Sequence, residues 1–293
     1  MRDPGSAHLA PASEQTAIID LICELQVRRK HWIRAANKLT NSIGALTRRH
    51  MGWTLALPEK ERKKIEPRAA ALIKAVKQTG AFSDGERGLP ESLLIDLGAT
   101  FAALAPVEAE RERIERQMRK LVKQFAVWQS FAEGVAGFGE LGLAVIIGEA
   151  GDLAGYPNPD KLKKRLGLAP FRGAAASTWR KKGGLTADDW TEVGYSPRRR
   201  AEIYAVIGVP LFRAQSVAAK RDGGGQASTG ARKNHAAPYR TIYDARRAHT
   251  AVTHPDWIKG HSHNDALRIM TQQLVIDLWC AWNGKERKPT DNP

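Results

Sequence analysis

Apolar residues recur every three or four positions along the first third of the chain. From Ser13 onward Ile18, Ile22, Leu25, Trp32, Ala36, Leu39, Ile43 and Leu46 form one seam, in steps alternating between four and three. Position 29, where the same spacing calls for an apolar residue, is Arg29. A heptad-like stripe of this kind predicts a long amphipathic helix. Its polar side carries Arg28, Arg29, Lys30, Arg34 and Lys38. That basic face fits either ordinary solvation or a helix lying along a nucleic-acid backbone. A shorter helix is expected from Leu57-Pro58, interrupted or restarted at Pro67. After a Gly- and Pro-containing loop, a third pattern runs from Glu91 to about Phe131. Its seam is Leu94, Leu97, Phe101, Leu104, Val107, Arg111, Ile114, Met118, Leu121, Phe125 and Trp128, with a slip of one residue at Pro106 that predicts a kink. Charged residues outside the seam fit a coiled coil or an αα-hairpin with the first helix.

The second half is punctuated by turn signals. Val135 to Glu140 reads VAGFGE, an apolar-Gly-x-Gly turn between two helical runs. Gly151 to Pro159 holds a second turn with two prolines, Asp160 to Leu166 reads as a short basic helix, and Gly167 to Pro170 ends it. Another helix is expected after Ser196-Pro197, reaching about Lys220, followed by a polar low-complexity linker up to His235. A last helix pair is expected at about Tyr239–Thr253 and Ser262–Asn283, with Asn264 or Ser262 as the second N-cap. The pattern therefore predicts an all-α protein. A terminal tail (1–12), a coiled-coil-like antiparallel helical arm (13–132), a compact helical domain (133–283) and a second tail (284–293) are the expected divisions.

Charge sharpens this picture. The chain has 46 Lys and Arg against 31 Asp and Glu, a net charge of +15 and a pI near 10.0. Such an excess points to a polyanionic partner. Between Lys161 and Arg200, eleven basic residues face three acidic ones, so over half of the excess falls in forty positions. Cys23 and Cys280 have no neighbouring cysteine, which argues against a disulfide scaffold or a zinc ribbon. The first twelve residues lack the apolar core of a signal peptide, and no apolar run is read as reaching the roughly 20 residues that span a bilayer. A cytoplasmic, nucleoid-associated protein without a membrane partner is the expectation.

The two motif stretches carry the candidate chemistry. Gly137 and Gly139 permit a tight turn that brings bare amides near a ligand, and the following helix would start with free N–H groups. This is the logic of a helix-hairpin-helix, which grips phosphates without reading bases. An ordinary helix–helix turn is the alternative. Lys161, Lys163, Lys164, Arg165, Arg172, Arg180, Lys181, Lys182, Arg198, Arg199 and Arg200 are the accompanying DNA-binding candidates. The last three sit in a first helical turn, where positive charge opposes the helix dipole, as if placed there for a ligand. Trp179, between basic neighbours, is the candidate base-stacking residue. His249, His254, His261 and His263 lack partners at metal-site spacing, so no metal site is read.

Gly137, Gly139, Gly151-Asp152-Leu153, Tyr156-Pro157-Asn158-Pro159, Lys161-Leu162 and Leu166-Gly167-Leu168-Ala169-Pro170 together resemble the carboxy-terminal domain of Piv-like (DEDD-type) insertion-sequence transposases. The likeness covers about half the chain, from roughly 130 to 282. It implies a DNA-binding protein of a mobile element, taking part in DNA cutting and joining, in a homo-oligomer and with a structured guide RNA as a further partner. It also implies a nucleophile, and residue-by-residue matching places it at Ser177 in AAASTWRKKGG, with Arg172, Arg180, Lys181 and Lys182 nearby to hold phosphate and alkoxide. The family pattern usually has Ser-Gly-Gly directly; here three alanines precede the serine. The family's amino-terminal RuvC-like fold, whose acidic residues hold Mg²⁺, has no counterpart: Asp3, Glu14, Asp20 and Glu24 lie in a tail and on the first helix. Two readings follow. Either the chain is a transposase whose Mg²⁺ site comes from another subunit, with no cofactor of its own, or it is a nuclease-less accessory or regulatory module.

Overall fold

The computed structural model describes residues 12–79, 90–170, 186–189, 196–222 and 238–286. They form helices and turns with no strand among them, so the protein is all-α. The chain divides into two compact units, Val27–Arg116 and the remainder.

In the first unit the seams fold as their spacing demands. Helix α1 (Ala12–His50), α2 (Glu59–Thr79) and α3 (Glu91–Val122) supply its elements. Ala36 and Ile43 of α1 pack with Leu93, Leu97 and Leu104 of α3, flanked by Leu39, Leu46, Ile73, Phe101 and Val107. Arg29 takes its seam position as a buried side chain and meets Glu115 at 2.8 Å, with Arg111 4.0 Å from the same carboxylate oxygen. An ionic contact among apolar neighbours fixes register better than a uniform apolar seam does. Pro67 and Pro106 both lie inside uninterrupted helices, against the expected restart at the first. Helix α3 is also long and apolar enough, by length and composition, to cross a membrane, which corrects the reading that no run is. Its Leu93, Leu94, Leu97 and Leu104 are buried in protein.

The second unit contains the start of α1, the end of α3, and everything that follows. Helix α3 stops at Val122 rather than near Phe131; a turn and the five-residue α4 (Ala126–Ser130) take over. At the centre stands α5 (Glu140–Ala150), where Gly142, Leu143, Ala144, Val145, Ile146 and Ile147 are all buried. A helix apolar on every side must be surrounded. After α6 (Pro159–Arg165), helix α7 (Pro197–Ile203) runs through a π-helical segment (Tyr204–Gly208) into α8 (Val209–Asp222). Helices α9 (Pro238–Thr253) and α10 (Lys259–Trp282) form the final pair. α10 begins earlier than expected, with Ile258 as an N-cap whose side chain makes no capping hydrogen bond. Ser262 instead lies within the helix and bonds Thr250 across the pair at 2.7 Å. Trp279 is buried and donates to the Tyr156 carbonyl, whereas Trp282 is only partly buried.

The hairpin turn is held by close packing. Gly137 has φ +88°, and a Cβ there would lie 2.7 Å from the Pro210 oxygen and 2.7 Å from the Leu211 Cα. Gln215 donates to the Ala136 carbonyl at 3.1 Å, tying the same turn to α8. Gly139 has an ordinary φ of −86°, and a Cβ there would meet nothing within 4 Å. The two glycines should therefore respond differently. Gly137→Ala combines left-handed strain with a backbone clash and is expected to cost about 3 kcal/mol, whereas Gly139→Ala should cost less than about 1 kcal/mol. Urea unfolding of both variants checks the contrast.

Candidate nucleic-acid interface

The basic residues that come together do so at the carboxy-terminal end of α5. Carbonyls at a helix end need donors, and the negative end of the dipole favours cations. Arg165 donates from Nε to the Glu149 carbonyl at 2.8 Å, and the Tyr156 hydroxyl donates to the Ala150 carbonyl at 2.8 Å. The Glu149 side chain, only 3% exposed, receives Arg199 Nε at 2.7 Å and Gln26 Nε2 at 2.8 Å. Arg199 Nη1 then donates to the Arg165 carbonyl at 2.9 Å. One buried carboxylate thus joins α1, α5 and α7, and Arg199 reaches on from it to the end of α6.

Local sequence places both basic helices. Asn158 caps α6 by accepting from the Lys161 N–H, with Pro159 in the first helical position. Its end is a Schellman turn: Leu168 N–H bonds the Lys163 carbonyl, Gly167 N–H bonds that of Lys164, and Gly167 has φ +75°. A Cβ on Gly167 would lie 3.2 Å from Arg200 Cβ, so the α6 terminus and the first turn of α7 are in contact. Ser196 caps α7, again with proline following.

Lys161, Lys163, Lys164 and Arg165 therefore stand on one short helix, and Arg198, Arg199 and Arg200 on another that touches its end. Their roles differ. Lys163 pairs with Asp160 at 2.7 Å, Arg199 is committed to Glu149, and Arg165 uses Nε inward. Lys161, Lys164 and Arg198 are exposed and make no ion pair among the described residues. Arg200 is half-buried, its guanidinium 5.4 Å from the centroid of the Tyr204 ring. Ser177, Arg172, Trp179, Arg180, Lys181 and Lys182 lie outside the described residues.

The glycine turn belongs elsewhere. Gly139 caps the opposite end of α5, and eleven helical residues at 1.5 Å each separate it from the basic cluster by about 16 Å. Glu140 occupies that amino terminus and pairs with Lys123 at 3.0 Å. Burial works to raise its carboxyl, but a bond to its own backbone N–H and the Lys123 contact outweigh this and hold it below the usual range. The turn and the cluster thus stand at opposite ends of α5.

Sequence reasoning passed over Glu149, although a lone acid ending the apolar run AVIIGEA was visible. It also passed over Tyr204 and the Arg246–Asp265–Arg268 contacts, at 2.6 and 2.7 Å, although Asp265 and Arg268 stand at helical i,i+3 spacing. Three of the histidines take aromatic partners: His263 bonds the Tyr243 hydroxyl at 2.6 Å, His254 stacks on Trp257 at 4.2 Å, and His261 meets the same Trp257 edge-on. Among the described residues no three His, Cys, Asp or Glu side chains group as metal ligands. Comparison with protein-family models, curated proteins and solved structures finds no match.

The Glu149–Arg199 contact should be expensive to break from one side. Glu149→Gln leaves a mostly buried guanidinium unpaired and is expected to cost about 3 kcal/mol. Adding Arg199→Met to it should cost less than the two single changes summed. Chemical denaturation of the three variants measures both.

Proposed function

We propose that this chain binds DNA through phosphate contacts at the α6–α7 edge, as a transposase- or recombinase-related protein of a mobile element. The observation that supports it best is the pairing of two short basic helices whose inner cations are neutralised by Glu149 and Asp160. Lys161, Lys164 and Arg198 are left exposed without acidic partners among the described residues. Cations that fold stability does not use are the ones available to phosphate oxygens, where they give affinity and carry no sequence information. The resemblance to Piv-like transposases makes Ser177 the proposed nucleophile of the joining step, with Arg172, Arg180, Lys181 and Lys182 near it in sequence. A structured guide RNA and further copies of the chain are the proposed partners.

The second reading is a nuclease-less binding module. It is favoured by the position of Glu14, Asp20 and Glu24, which stand on α1 rather than at the ends of strands. On this reading the chain binds nucleic acid as an accessory or regulatory module, whereas the first reading takes its Mg²⁺ site from another subunit. Both readings require electrostatic binding. If about six phosphates are neutralised, affinity for duplex DNA should fall roughly 10³-fold between 50 and 200 mM salt. A gel-shift or anisotropy titration measures the slope, and a flat line would sink both.

A further inference from the structure

Beside Arg198 and Arg199 on α7 lies a buried hydroxyl flanked by guanidiniums. Tyr204 opens the π-helical segment between α7 and α8. Such segments interrupt the regular backbone ladder and often mark functional positions. Its hydroxyl is buried and meets no partner at full hydrogen-bond geometry among the described residues, with the Arg200 guanidinium the nearest donor acting on it. An unpaired buried hydroxyl is costly, and such groups call for a reason. Burial pushes the Tyr204 phenol upward, with Arg200 and Arg268 opposing, so the hydroxyl keeps its proton and can donate.

Arg200 lies over the ring of Tyr204 and makes no ion pair among the described residues. Gly167 leaves room for its backbone, since a side chain at 167 would meet Arg200 Cβ at 3.2 Å. From α10, Arg268 comes to the same place, sharing Asp265 with Arg246 of α9. Asp265 is held below the usual carboxylate range: burial acts to raise it, but the hydrogen bonds from Arg268 and Arg246 win. Three guanidiniums and one carboxylate leave two positive charges in excess beside the protonated Tyr204 hydroxyl. Gln272, one turn beyond Arg268, donates to the Leu168 carbonyl at 2.6 Å, so this set adjoins the point where the chain leaves α6.

We propose that Arg200, Tyr204 and Arg268 form a subsite for a single phosphate group. A phosphate oxygen would draw the Arg200 guanidinium outward from the ring and accept from the hydroxyl, whose proton has no acceptor among the described residues. The subsite deepens the DNA-binding reading and rests on it for the source of the phosphate, a backbone phosphodiester, whereas free inorganic phosphate shares the same chemistry.

Tyr204→Phe removes the hydroxyl alone and keeps the ring under Arg200; Arg200→Gln removes the charge. Circular dichroism first checks that both variants fold. With a fluorescent 30-base-pair duplex, Tyr204→Phe should weaken binding about 10-fold with the salt slope unchanged. Arg200→Gln should lower the slope by about one. In the Arg200→Gln background Tyr204→Phe should do little, because the two groups hold one phosphate. Wild-type affinity in Tyr204→Phe, or an undiminished effect in the double variant, would overturn the subsite. Inorganic phosphate separates the two ideas. If the wild type binds no duplex yet 10 mM phosphate raises its melting temperature, and both variants lose the rise, the subsite stands and the DNA reading falls. If neither probe distinguishes the variants from wild type, the subsite falls.

Discussion

A carboxylate that ends an otherwise apolar, buried helix cannot be left alone, and the second unit is arranged around that requirement. Each buried apolar side chain of α5 contributes on the order of 1.5–3 kcal/mol when fully removed from water, and Leu143, Val145, Ile146 and Ile147 are all fully buried. That burial carries Glu149 inward with the helix. The charge then has to be met by hydrogen-bonded partners, because an isolated buried ion is far more costly than a paired one. Arg199 and Gln26 meet it, and Arg165 meets the carbonyl of the same residue. The basic edge of the protein is thus a consequence of how the core helix is terminated.

Some cations at this edge have two kinds of work to choose from, and geometry divides them. Arg199 spends its guanidinium on Glu149 and the Arg165 carbonyl. Lys163 spends its charge on Asp160. Arg198, in the same first turn of α7, opposes the helix dipole and receives nothing back from the described residues. A residue that costs stability and returns none within the chain is a better ligand candidate than one held in an ion pair. The glycine turn falls on the other side of this division: Gly137 is required by its approach to Pro210 and Leu211, which is a packing reason.

The long seams were legible because they depend on spacing alone. Leu94, Leu97, Leu104, Ile114, Met118, Phe125 and Trp128 are buried as the period demands, and even the out-of-pattern Arg29 is buried in its place. What the sequence could not show is where long-range geometry decides. The end of α3 at Val122 is invisible in a seam that continues to Trp128. Pro67 sits inside an unbroken α2, where local preference predicted a break. The charge count marked positions 161–200 as basic but could not sort Arg199, tied to a residue fifty positions earlier, from Arg198, which makes no ion pair among the described residues. Nor could it place the VAGFGE turn at the far end of α5 from those charges.

The central claim is that phosphate is met where α6 and α7 touch, at the end of α5 away from the glycine turn. Amide hydrogen–deuterium exchange of the full chain, with and without saturating duplex DNA, tests it most directly. The account predicts slowed exchange in 159–168 and 196–204 with no change in 135–142. Protection confined to 135–142, with the α6 and α7 segments unaffected, would contradict it.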